Sequence, residues 1–257
     1  MKFWGRIVVS ILLIILIAIQ LDWQKTFLLL KGCRAGWLIL TFGILIAGEF
    51  LRPWRWQMLL LPLNIRIPFW TLVRWYFIGN LSSHVMPTGL GGDVVRISLM
   101  ARSDGQVSEA VVSVLIERAV GLVALLVVAF WGALYIPIPE TLRFLLPTYL
   151  VILLCTAVIG VGTVLLGRRV NERDSPRSGR LGRWWAKFLR MAGHYSAYVR
   201  HTQMMVIIFV ISVLHQIMVV ASFYLAARTL GIHIPWPVCL LSVPLATLAT
   251  MLPISIS

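Results

Sequence analysis

The sequence predicts an all-α, polytopic integral membrane protein: a helical bundle containing re-entrant or broken helices. Three observations predict it. Uncharged apolar stretches of bilayer-spanning length recur along the chain, basic residues gather at their borders, and runs rich in glycine or proline interrupt the apolar pattern at 79–96 and again after 234. The composition agrees: 60% of residues are hydrophobic, 12% are charged and the mean hydropathy is +0.91, against roughly 25% charged residues in a soluble domain.

The elements follow in chain order. Residues 7–21 form a short apolar run that Phe3 and Trp4 extend, with Lys2 and Arg6 reaching the headgroups; Ala18 to Asp22 lacks a small-x-small cleavage pattern, so the run reads as a retained anchor. Residues 35–51 form a second span that carries only Glu49. A polar, glycine-bearing stretch at 69–92 suits a re-entrant segment, because polar backbone at membrane depth is tolerated only where protein or water satisfies it. A helix starting near Ser108 carries Glu117 and Arg118 and becomes fully apolar over 119–139; 144–166 and 204–227 are further uncharged spans. The stretch 234–257 is uncharged but contains Pro235, Pro237, Pro244 and Pro253, which suits a broken or re-entrant helix. The expectation is one domain over 1–257, with about five full spans and re-entrant segments near 69–92 and 234–257.

The formal charge of +14 does not point to nucleic acid, since the basic residues border the spans. Between Arg168 and Arg200, nine Lys or Arg face only Glu172 and Asp174, a net +7 that is half the total. Loops rich in Lys and Arg stay in the cytoplasm, which places 167–203, the Arg96–Arg102 region and the N-terminus on that side. Within this loop Leu181, Trp184, Trp185, Phe188, Leu189, Ala192, Tyr195 and Tyr198 recur at helical spacing opposite Arg183, Lys187 and Arg190, the pattern of an amphipathic helix lying on anionic headgroups. It either anchors the loop or helps recruit lipid.

The leading site is GNLSSHVMPTGLGGDVVR, residues 79–96. Pro87, Gly89, Gly91 and Gly92 permit close backbone approach and leave amides available to an anion just before Asp93. Asp93 is read as a helix cap or as a site residue, and its i,i+3 spacing to Arg96 lets the two pair or share a phosphate. Glu117 and Arg118 point about 100° apart on their helix, so each is expected to meet another segment, with Arg96 or Arg102 as a partner for Glu117. The competing reading of this pair is a buried ion pair that fixes helix packing. Glu49 with Arg52 reads as an i,i+3 pair, and Arg55 and Arg74 as arginines snorkelling at the membrane border.

Catalysis finds little support. His84 lies near Ser82, Ser83 and Asp93, but sequence proximity does not make a nucleophile–base–orienter geometry, and no catalytic residue is assigned. His215, in an uncharged span, reads as a hydrogen-bonded interior histidine. The three cysteines, Cys33, Cys155 and Cys239, show neither a disulfide framework nor metal-ligand spacing. No phosphate-loop, dinucleotide or zinc motif appears, so no cofactor and no metal is expected.

The run Asn80, Pro87, Gly91-Gly92-Asp93, Arg96 and Arg102, followed by Glu117-Arg118, resembles the signature of the flippase-like transmembrane domain of bacterial lysylphosphatidylglycerol synthases and their stand-alone relatives. Pro253 and Ser255 are similar to the start of that family's second, proline-serine-glycine element, and the chain stops at Ser257 before its glycines, which suggests a truncated sequence. The resemblance implies a multi-pass protein of the bacterial inner membrane that handles phospholipids or other lipid-linked anions. It does not imply aminoacyl transfer, because the synthase domain is not in this sequence.

The resulting expectation is a translocator of anionic lipid. Asn80, Pro87, Gly89, Gly91, Gly92, Asp93 and Arg96 line a polar cavity; Arg96 and Arg118 hold phosphate; Asp93 and Glu117 orient the arginines. The partners are membrane lipids. Two alternatives stand beside it: a membrane-embedded lipid-modifying transferase using Asp93 or Glu117 as base, and a non-transporting scaffold that gathers envelope-synthesis enzymes on its basic loop.

Overall fold

The computed structural model describes residues 32–85, 91–104, 107–136 and 201–251, together with 16, 19, 22, 23 and 198. Nearly all of the anchor at 7–21, the span 144–166 and nearly all of the basic loop 167–203 lie outside the described residues, as do Pro87 and Gly89. Within them the chain is helical, with α1 at Ala35–Leu60, α2 at Phe69–Val85, α3 at Gly91–Asp104, α4 at Val107–Ala133, α5 at Thr202–Thr229 and α6 at Trp236–Met251.

α1 runs well beyond the expected end of its span. It continues through Pro53 to Leu60 and closes in a 3₁₀ turn at Leu61–Leu63, where Asn64 takes the left-handed conformation at φ 59°. Burial explains the extension: Trp56, Leu59 and Leu60 are fully buried, and packing against the rest of the bundle outweighs the hydrogen bond that Pro53 removes. The consequence for the site is direct. Glu49, Arg52, Arg55 and Trp56 all stand on one continuous helix, with side chains brought round every three to four residues.

α1 with its 3₁₀ turn, α4 and α5 are each long and apolar enough to cross a membrane. Ile39, Phe42 and Ile46 on α1 and Val206, Val210 and Phe223 on α5 are exposed, the outward apolar faces that helices in hydrocarbon require. α5 ends in a Schellman motif: the Ile232 N–H donates to the Ala227 carbonyl at 2.9 Å and the Gly231 N–H to the Arg228 carbonyl at 3.1 Å, with Gly231 at φ 76°. α6 passes Pro244 without interruption as far as Met251; residues 252–257, which complete the expected second re-entrant element, lie outside the described residues.

Of three buried apolar clusters among the described residues, two are the largest. One gathers Trp56, Leu59, Leu60, Leu72, Met100 and Ile116 where α1, α2, α3 and α4 meet; the other gathers Val128, Val220, Cys239, Leu240 and Val243 between α4, α5 and α6. Glycines set the closest approaches. A Cβ on Gly132 would lie 2.7 Å from the Leu240 backbone, so α4 and α6 touch there main chain to main chain. The second close crossing lies at the site: a Cβ on Gly92 would stand 2.6 Å from the Gly79 carbonyl oxygen, and one on Gly79 would stand 3.0 Å from Arg96 Cγ. Tyr198 is the described residue of the basic loop's amphipathic pattern; it is buried and donates to the Leu59 carbonyl at 2.7 Å, so this position packs in the core.

Candidate functional site

Glu117 is the centre of the polar network. It stands on α4, only 3% exposed, and receives donors from three other helices. Arg55 Nη2 of α1 donates to Oε1 at 2.8 Å, the Tyr76 hydroxyl of α2 donates to the same oxygen, and Arg96 Nη1 of α3 donates to Oε2 at 3.0 Å. Isolated charges at this depth are costly, and here burial is compensated by opposite charge and by hydrogen bonds to both carboxylate oxygens.

Arg96 is held on every side. Its Nη2 donates to Asp93 Oδ1 at 2.6 Å, and its guanidinium carbon lies 4.1 Å from the Tyr76 ring centre and 5.0 Å from that of Trp56. Such cation–π contacts strengthen when desolvated. Trp56 is fixed in turn by its indole N–H, which donates to Ser113 Oγ at 3.1 Å. Asp93 accepts a second guanidinium through Oδ2, from Arg118 Nε of α4. The network therefore reaches the surface at one edge: the Arg118 side chain is 40% exposed and that of Asp93 14%, against 6% for Arg96 and 4% for Glu117.

Arg55 extends the network to α5, donating from Nη1 to Ser212 Oγ at 3.0 Å, while its Nε has no hydrogen-bond partner. A separate pair lies across Tyr76. Glu49 accepts Arg52 Nη1 at 3.3 Å and Asn80 Nδ2 at 2.9 Å, and Arg52 sits 5.1 Å from the Tyr76 ring centre on its way to that carboxylate.

The structure brings together Asp93, Arg96, Glu117 and Arg118, and of the two partners expected for Glu117, Arg96 or Arg102, it supplies Arg96. It places Asn80 with Glu49 and Arg52 instead. Two expectations are revised. Asp93 lies in the first turn of α3 with its carboxylate between two guanidiniums, so it is not acting as a cap. The Gly92 N–H is not open to an anion, because it donates to Ser83 Oγ at 3.0 Å, tying α3 to α2. Gly91 is buried at the start of α3. Ser82 donates to the Ile78 carbonyl of its own helix at 2.8 Å, Ser83 donates to the Gly79 carbonyl at 3.2 Å, and the Asp93 carboxylate is engaged by Arg96 and Arg118. Among the described residues no group of His, Cys, Asp and Glu converges as metal ligands. Arg74 is exposed, as a snorkelling arginine would be.

Sequence reasoning missed Tyr76, Trp56 and Ser212, read Arg55 as a snorkelling arginine and weighed Ser83 only beside His84. Local spacing carried no signal for Arg55: a position six residues after Glu49 on a helix lies about 120° round from it, so the two do not share a face. Tyr76 and Ser212 carried none, since a tyrosine or serine in an apolar helix has no charge to advertise a partner.

The fold and site define a class: an α-helical membrane protein whose helices are joined by a buried arginine–carboxylate network. The sequence model of the lysylphosphatidylglycerol synthase transmembrane region matches residues 3–257, and the chain belongs to that family. No curated protein and no solved structure is significantly similar to it.

Proposed function

We propose that this protein binds anionic phospholipid, or another lipid-linked anion, and moves it across the bacterial inner membrane, with the N-terminus and the 167–203 loop in the cytoplasm. The observation that carries the reading is the exposed edge of the network, where Arg118 and Arg96 point guanidinium N–H groups at one shared anion, the Asp93 carboxylate. A headgroup phosphate matches that pair of donors. Glu117 and the Tyr76 and Trp56 rings would keep Arg96 in place, and competition from the carboxylates would keep affinity low enough for the lipid to leave. Movement of the helices against one another around the site would expose it alternately.

The reading is of a carrier and not of an enzyme. Both Glu117 oxygens and both Asp93 oxygens already accept from guanidinium or phenol groups, which supports a structural and electrostatic role over that of a general base. The partners are membrane lipids with anionic headgroups.

The test is headgroup-resolved lipid scrambling in proteoliposomes. Wild-type protein should move phosphatidylglycerol, and Arg118→Gln, at a half-exposed position, should slow that movement at least about tenfold, as loss of one charge-assisted contact of about 1.4 kcal/mol implies. Arg96→Gln should abolish it. Scrambling at the wild-type rate in both variants would refute the assignment.

A further inference from the structure

Asp93 occupies the position that an anionic ligand would take. Its two oxygens are divided between guanidiniums of different helices, Oδ1 with Arg96 of α3 and Oδ2 with Arg118 of α4, and this is the same two-donor arrangement that receives the two non-bridging oxygens of a phosphodiester. Resting on the anionic-lipid reading above, we infer that Asp93 is a tethered occupant of the site: its carboxylate closes the Arg96–Arg118 pair when no ligand is bound and gives way to a phosphate group when one enters.

Three features separate an occupant from an ordinary structural ion pair. First, Arg96 does not need Asp93 to stay in place, because Glu117 holds it at 3.0 Å and the Tyr76 and Trp56 rings flank it at 4.1 and 5.0 Å. Removing Asp93 leaves a preorganised donor. Second, Asp93 sits on the exposed edge and Glu117 in the interior, with side-chain exposures of 14% and 4%, so an incoming anion meets the Asp93 pair first. Third, Asp93 stands on a helix whose first turn is pinned independently by the Gly92 N–H on Ser83 and by the close Gly79–Gly92 crossing, so a rotation of one side chain frees the pair without moving α3.

The two roles predict opposite signs. A structural carboxylate, once neutralised, leaves the arginines disordered and weakens anion binding; an occupant, once neutralised, stops competing and strengthens it. The experiment measures binding of dioctanoyl phosphatidylglycerol and, separately, of inorganic phosphate to the purified full chain in nanodiscs, for wild type, Asp93→Asn, Arg118→Gln and Glu109→Gln. Glu109→Gln removes the same charge two helical turns from Glu117 and controls for general electrostatics. Asp93→Asn should bind the lipid about tenfold more tightly, equivalent to about 1.4 kcal/mol, Arg118→Gln should bind it more weakly and Glu109→Gln should match wild type. Tightening of both probes assigns the gain to phosphate itself, and tightening of the lipid alone assigns it to the headgroup with its acyl chains; either supports the inference. Equal or weaker binding by folded Asp93→Asn overturns it, as does an equal gain in Glu109→Gln.

A measurement on the wild type guards against a variant that does not fold. Carbodiimide labelling of Asp93, read by mass spectrometry, should rise when dioctanoyl phosphatidylglycerol displaces the carboxylate, and protection of Asp93 by the lipid would overturn the inference. The two proposals fail separately. Tightened binding without lipid scrambling refutes translocation and keeps the anion site, whereas scrambling with unchanged Asp93→Asn binding refutes the tethered occupant and keeps translocation.

Discussion

Replacing Glu117 by Gln preserves the length and shape of the side chain and removes the charge on which Arg55 and Arg96 converge. Both guanidiniums are more than nine-tenths buried, at 8% and 5% exposure, so neither can turn to water for compensation. The amide oxygen can still accept from Arg55 and Tyr76. The amide nitrogen, however, becomes a donor facing Arg96 Nη1, where Oε2 had accepted at 3.0 Å. One buried ion pair is thus replaced by a donor–donor clash and the other by a neutral hydrogen bond. Breaking a buried pair by removing one partner costs about 3–5 kcal/mol. At about 2–4 °C per kcal/mol for a domain of this size, the midpoint of thermal unfolding should fall by about 6–20 °C. The assay is thermal denaturation of purified protein in mild detergent, with Glu109→Gln as the matched control, since it loses the same charge from the same helix at a partly exposed position. A Glu117→Gln midpoint within about 2 °C of the control would refute the view that this carboxylate holds the helices together. The double variant Arg55→Met/Glu117→Gln sharpens the result: with one of the stranded guanidiniums gone, it should be less destabilised than the sum of its parts by about 0.5–3 kcal/mol.

Two further outcomes follow from packing and hydrogen bonding. Gly132→Ala should destabilise the bundle by about 1–3 kcal/mol, because its methyl would lie 2.7 Å from the Leu240 backbone, whereas Gly121→Ala, whose nearest neighbour would be Arg55 Nη1 at 3.8 Å, should be tolerated; unfolding midpoints of the pair check this, and equal midpoints would contradict the α4–α6 contact. Tyr198→Phe should cost about 1–3 kcal/mol by leaving the buried Leu59 carbonyl without its donor, read as a lowered unfolding midpoint; an unchanged midpoint would contradict this bond.

The helices were legible because hydrocarbon imposes a simple rule, long uncharged runs, and α4 and α5 obey it. Charges in such runs are conspicuous for the same reason, which is why Asp93, Arg96, Glu117 and Arg118 could be singled out from sequence, and why helix geometry could exclude a Glu117–Arg118 pair and leave Arg96 or Arg102 as the candidate partner. What the sequence did not disclose was pairing across long separations. Arg55 meets Glu117 62 residues away and Ser212 157 residues away, and nothing in local spacing distinguishes it from Arg74, which is exposed. The end of α1 was missed because Pro53 and two arginines look like a stop, while the burial of Trp56, Leu59 and Leu60 that overrides them is a tertiary effect. The Gly92 amide was misread for a related reason: its acceptor, Ser83 Oγ, lies across a helix crossing that only the fold creates.

The ion pairs also differ in what it costs to break them, and that difference indicates where such a bundle can move. Glu117 joins α1, α2 and α3 to α4 through contacts that are almost wholly buried, where the effective dielectric is low and a stranded charge is expensive. The Arg118–Asp93 pair joins α3 to α4 as well, but at a guanidinium 40% exposed, where solvent or headgroups can replace the lost partner and exposed pairs are worth only about 0–1 kcal/mol. Any rearrangement that admits a ligand should therefore begin at the Arg118 edge and leave the Glu117 junction intact, because the same displacement at Glu117 would strand Arg55 and Arg96 together. Glu117 is then the fixed point of the assembly and Asp93 its replaceable contact, a division of labour set by burial alone between two carboxylates that each serve two arginines.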